Sequence, residues 1–125
     1  MEKRAVARRQ RGRDGWHRGS RAELIAAWWL RFKGYRILAK RWRSPVGEID
    51  LVAWRRGWLV AVEVKARPTR TEGLEAIRPA QQARLSAALG LFAAQRNLPV
   101  QGMRLDALVI VPGHLPHHLL DAWRS

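Results

Sequence analysis

Residues 47–67 read GEIDLVAWRRGWLVAVEVKAR, two long apolar runs joined by Arg-Arg-Gly. Aliphatic, β-branched and aromatic residues on either side of a glycine-bearing turn specify an antiparallel hairpin, here over 47–54 and 58–66. Strand side chains alternate between faces, so the register decides which residues meet. A turn on Arg56-Gly57, or a four-residue loop over 55–58, sets Asp50 opposite Glu63 and Glu48 opposite Lys65. A three-residue loop sets Asp50 opposite Val62 instead. In the first register Ile49, Leu51, Ala53, Val60, Val62 and Val64 share a wholly apolar face. The other face is apolar near the turn, through Val52, Trp54, Leu59 and Ala61, and carries its four charges at the far end. Both faces of the hairpin are therefore expected to be covered, with the charges at the mouth of a cleft.

The flanking sequence supplies the cover. Ser20, with Glu23 three residues on and Gly34 at the other end, frames a helix whose apolar stripe is Leu24, Ala27, Trp28 and Phe32. YRILAKRW (35–42) alternates like a half-exposed strand, and SPVG (44–47) is turn chemistry. Residues 67–78 form a polar loop. Pro79 opens a second helix to about residue 95, with Leu85, Ala88, Leu89 and Phe92 on one side. GMRLDALVIVP (102–112) is a buried strand, and the tail after it is expected to add a short helix. The order αβββαβ implies an α/β fold, one mixed sheet flanked by helices.

Charge restricts the partners. The 125 residues carry 24 Lys and Arg against 10 Asp and Glu, a net +14, a field that attracts polyanions. Residues 1–19 hold seven of these cations with little hydrophobic periodicity, and read as a disordered basic arm preceding a domain over 20–125. The domain stays basic without the arm, so nucleic acid is the leading partner. No apolar run approaches a membrane span, and the absence of cysteine excludes disulfides and thiolate metal sites. Both fit a cytoplasmic protein that does not engage a membrane. Oligomeric state stays open, a homodimer included.

Two carboxylates at cross-strand distance repel and are costly to desolvate. One resolution is a strand end held by Glu–Lys pairs, worth roughly 0.2–1 kcal/mol each. Another is a hard divalent cation that takes carboxylate oxygens and keeps several waters, with Lys65 beside it for phosphodiester hydrolysis. Spacing alone favours the first. Of the other polar residues, Asp106 is expected to pair with an Arg, and His114, His117 and His118 to lie on the surface. Trp16 is a weak candidate for stacking on a base.

GEID followed by VEVKAR across a short hairpin resembles the PD-(D/E)xK nuclease superfamily, and the run from Ser20 to the C-terminus resembles its YraN-like family. The resemblance implies a restriction-endonuclease-like core and a Mg²⁺- or Mn²⁺-dependent endonuclease acting on DNA, branched or structured DNA among the candidates. Asp50 and Glu63 match its metal-binding acids and Lys65 its catalytic lysine. Glu23 stands where resolvase-like members place a further acid, and is equally the third residue of a capping box. Glu48 belongs to the GEID signature, extending the metal site or positioning Lys65. Near the start of the second helix the family carries Lys then Gln, where this chain has Gln81 and Gln82. Gln82 is therefore the glutamine expected to face the cleft, with Arg78 or Arg84 replacing the missing Lys. Arg43, Arg67, Arg78 and Arg84 are the candidate phosphate contacts. The alternative is a nucleic-acid-binding protein of nuclease fold with little or no cleavage, RNA- or ribosome-associated partners included.

Overall fold

Arg56 and Gly57 both adopt positive φ, 52° and 84°, in a two-residue turn. Such a turn matches the natural twist of an antiparallel pair. It sets Arg55 against Trp58, Trp54 against Leu59, and so on to Leu51 against Val62. Of the registers open to the sequence, this is the one that aligns Asp50 with Glu63. In a computed structural model, which describes residues 21–123, the hairpin forms β2 (Gly47–Arg55) and β3 (Trp58–Ala66). They lie in a five-stranded mixed sheet of order β1-β2-β3-β4-β5, with β1 at Arg36–Ser44, β4 at Gly102–Ile110 and β5 at His117–Leu119. Neighbours pair antiparallel except β3 and β4, which run parallel. That parallel step needs a crossover, supplied by helices α2 (Arg70–Glu75) and α3 (Ala80–Arg96). Helix α1 covers residues 21–32.

The sheet lies between α1 on one face and α3 on the other, with the short α2 packed on β4. Val52, Leu59 and Ala61 pack on Leu85, Ala88, Leu89 and Phe92 of α3, and the Trp42 ring meets Phe92 edge-on at 5.3 Å. Leu51, Ala53, Val60 and Val62 pack under Ala26, Ala27 and Leu30 of α1. Ile49 departs from the expected alternation and joins the α3 side. Arg41, next to the Trp42 that pairs with Ile49, sits at a φ of 48°, and β1 also shifts register between Ile37 and Ala39, opposite Ala53 and Val52.

Four local expectations are corrected. The face that α1 turns to the sheet is its small one, Ala22, Ala26, Ala27 and Leu30, while Leu24, Ile25, Trp28 and Phe32 face outward. Alanines let the helix lie close to the sheet, which leaves the bulky residues no room beneath it. The segment 67–78 is not all loop: Thr69 accepts a hydrogen bond from the Glu72 N–H and caps α2. Gly73 lies so near β4 that a Cβ there would stand 2.2 Å from Val109. The tail forms strand β5 rather than a helix.

The fourth correction is His118, which is buried rather than on the surface. It donates from Nε2 to Asp106, and its Nδ1 meets Lys33 Nζ. Asp106, with 0% exposure, also accepts two bonds from Arg104 and one from the Asp121 N–H. Burial alone would raise its pKa, but the bonds from His118, Arg104 and Asp121 win and hold it below its ordinary value. The expected Arg partner of Asp106 is therefore Arg104, and the network pins β5 to the sheet.

Ser20, Trp16 and the whole basic arm lie outside the described residues. Among the described residues, no helix is long and apolar enough to cross a membrane.

Candidate functional site

Ladder pairing between β2 and β3 ends at Leu51 and Val62. One step further the Asp50 carboxylate takes over, its Oδ2 accepting the Val64 N–H at 2.8 Å. A side chain thus satisfies a strand N–H that would otherwise be left without an acceptor. β3 meanwhile continues along β4 through Glu63 and Lys65. The two strands open around a cleft of about 230 Å³ lined by Gly47, Glu48, Asp50, Glu63, Gln81, Arg84 and Leu85. Asp50 and Glu63 are half-buried on its floor, and the first turns of α3 form a wall.

The electrostatics follow from this placement. Burial pushes the Asp50 carboxyl up to about 7, and Glu63 and Glu23 add to the rise. The Val64 N–H and Lys65 oppose it without cancelling it. Lys65 Nζ lies 3.2 Å from Glu63 Oε1, both side chains largely shielded from water. Glu63 thus has a cation at its side, while Asp50 carries the unresolved charge conflict.

The remaining expected site residues fall into two groups. Glu23 stands near enough to Asp50 to act on its acidity, and is bonded by Arg41 Nε at 2.6 Å. Glu48 lines the cleft but does not meet Lys65. It turns to Arg43 of the neighbouring strand at 3.7 Å, both side chains exposed, because the β2–β3 ladder has ended before Glu48. Gln82 is exposed and outside the cleft lining, whereas Gln81 lines it. Helical phase explains the exchange: at 100° per residue, Gln81 lies about 30° from the centre of the buried stripe and Gln82 about 70°. Gln81 Oε1 also accepts the Arg78 N–H at 3.2 Å, tying the helix start together. Arg84 borders the cleft. Arg43, Arg67 and Arg78 are exposed but absent from its lining. Sequence reasoning missed Arg41, whose link to Glu23 depends on a backbone bend that no local residue pattern signals.

Among the described residues, no three His, Asp or Glu side chains gather closely enough to hold a metal ion unaided. A Mg²⁺ ion asks for less, since it commonly takes one or two carboxylates and keeps several waters. Asp50 and Glu63 supply two hard oxygen donors, and a cation between them would offset the burial and the Glu63 repulsion that together raise Asp50. The donor set fits such an ion.

A central hairpin carrying two acids and a lysine, open toward the start of a crossover helix, defines an α/β protein with an acidic cleft in a basic chain. The chain belongs to the family described as uncharacterised protein family UPF0102, whose model matches residues 22–110. This is the family that the GEID and EVK motifs resemble. A UPF0102 protein of Caulobacter sp. (strain K31) is 50% identical over 106 residues, covering 84% of this chain and 76% of the relative. A UPF0102 protein of Caulobacter vibrioides is 48% identical over 120 residues, covering 95% and 96%. A third, from Paramagnetospirillum magneticum, is 49% identical over 113 residues, covering 86% and 87%.

Proposed function

We propose that this protein is a Mg²⁺- or Mn²⁺-dependent endonuclease that hydrolyses phosphodiester bonds in DNA. The observation that carries this reading is the floor of the cleft. Two acids from adjacent strands share it, one pushed up to about 7, with Lys65 held beside the other. Asp50 and Glu63 would hold the ion, which supplies Lewis-acid stabilisation of phosphoryl charge and a more acidic bound water. Asp50 is fixed for this by the Val64 N–H on Oδ2. Lys65, fixed by Glu63, presents its ammonium to the scissile phosphate and to the water that attacks it. Arg84 stands at the cleft wall, where a guanidinium grips a phosphate, and the basic surface draws the polyanion in.

Pure protein incubated with plasmid, linear and branched DNA in Mg²⁺ or Mn²⁺ should nick or cut, and chelator should stop it. Lys65→Ala and Asp50→Ala should each reduce cleavage by about 10²–10⁴-fold. Cleavage that persists in both variants refutes the assignment.

A second reading is favoured by Gln81. It is the cleft-lining position at which the resembled family carries Lys, and here it is neutral. A protein that binds nucleic acid without cutting would show salt-dependent DNA or RNA binding, no cleavage with any divalent ion, and no heat of Mg²⁺ binding.

A further inference from the structure

Helix α1 is built inside out. Its small residues face its own sheet, while Leu24, Ile25, Trp28 and Phe32 are 51%, 46%, 64% and 83% exposed. These four recur at helical spacing, so they form one continuous stripe along the helix. Scaled by full aromatic side-chain areas of roughly 150–250 Å², they leave about 500 Å² of apolar surface, near the upper end for a lone soluble domain.

We infer that this stripe is the seam of a symmetric homodimer, in which α1 of one copy lies against α1 of a second. The area suits that occupant. Two copies facing each other would bury about 1,000 Å² from these four residues alone, the size at which a specific interface begins. The composition suits it as well, because interface centres are rich in aromatic residues and Arg and poor in acids. Arg31 already stacks over Trp28, 5.5 Å from its centroid. Antiparallel pairing about a two-fold axis sets Arg21 of each copy toward Phe32 of the other, a cation against a ring rather than a cation against a cation.

Charge sets this surface apart from a polyanion grip. The helix itself carries Arg21 and Arg31 against Glu23, a near balance within a chain of net +14, while Lys40, Arg41 and Arg67 border Leu24 and Ile25 at the rim of the stripe. Glu23 is moreover tied to Arg41. A stripe that is apolar and close to neutral selects another apolar stripe over phosphate. The inference does not depend on the proposed nuclease activity.

Sedimentation velocity on the full chain tests it. At about 50 µM the protein should sediment at twice its 14.4 kDa mass. Raising salt should preserve or strengthen the dimer, since net charges of like sign are screened. Trp28→Glu and Phe32→Glu, both outward-facing, should each raise the dimer dissociation constant at least ~30-fold while leaving the circular dichroism spectrum unchanged, and should make the melting temperature lose its dependence on protein concentration. Leu115→Glu, an exposed apolar control elsewhere, should not. The chain has no cysteine, so Ile25→Cys gives a second readout: a short bismaleimide should link two copies through it, and should not through Leu115→Cys. A monomer at all concentrations, or a dimer unaffected by both glutamates, overturns the inference. So does a monomer whose single-stranded oligonucleotide binding is lost in Trp28→Glu, which would assign the stripe to base stacking.

Discussion

Replacing Asp50 with Asn should stabilise the metal-free protein, and the gain should depend on pH in a set way. In the folded chain burial, Glu63 and Glu23 push Asp50 up to about 7, from an ordinary value of 3.8. The shift of about three units corresponds to at most ~4 kcal/mol of destabilisation once the carboxylate is fully ionised. Coupling to Glu63 and Lys65 reduces what one substitution recovers, so ~1–3 kcal/mol is expected. The sign follows from proton counts. Between about pH 4 and pH 7 the folded state holds a proton on Asp50 that the unfolded state has released, so folding stability falls as pH rises through that window. Above it the penalty is complete, and below it there is none. Asn keeps an oxygen to accept the Val64 N–H and removes the charge. Thermal melts in chelator should show Asp50→Asn melting ~3–10 °C above the parent at pH 8, with little difference at pH 4.5. Adding Mn²⁺ at pH 8 should raise the parent's melting temperature and leave the variant's nearly unmoved. A variant destabilised equally at both pH values would refute the argument, because Asp50 would then contribute packing and hydrogen bonding rather than a buried charge conflict.

Asp106→Ala should destabilise the fold by ~3–5 kcal/mol in chemical denaturation, since it strands Arg104 and His118 without their shared acceptor. Gly73→Ala should cost ~1–3 kcal/mol by the same measurement, because its methyl would collide with Val109. Gln81→Lys should tighten DNA binding and add close to one unit to the slope of log affinity against log salt. Gln82→Lys, on the exposed side of α3, should have the smaller effect on both.

The hairpin was legible because its turn chemistry and its alternation agree. Arg56-Gly57 favours a two-residue turn, and that register puts apolar residues on both sheet faces. Helix α3 was legible both as an element and in its buried stripe, Leu85, Ala88, Leu89 and Phe92, whereas α1 was legible as an element but not in orientation. A stripe of alanines is as periodic as a stripe of Leu, Trp and Phe, and hydrophobicity alone chose the wrong one for α1. The same ambiguity of phase exchanged Gln81 for Gln82, which differ by one residue and by about 40° from the stripe centre. Strand β5 spans three residues, too few for periodicity to register, so the burial of His118 was invisible with it. Asp50, Glu63 and Lys65 could be found in the sequence since they share one local hairpin. Arg41 could not, because its link to Glu23 joins a strand to a helix across a bend.

That hairpin also bears on the order of events during folding. Asp50 and Glu63 are brought together by a turn of two residues, with no long-range contact required, so they can meet on the microsecond scale of hairpin closure. At that stage both acids are hydrated and their repulsion is weak. The wall of α3 is added through longer-range contacts, Leu85 and Leu89 packing with Val52 and Leu59, a slower and less local step. The electrostatic penalty therefore accrues late, after the rate-limiting structure has formed. Removing it should slow unfolding while leaving the folding rate nearly unchanged, so the acidic cleft limits the lifetime of the native state rather than the speed of reaching it.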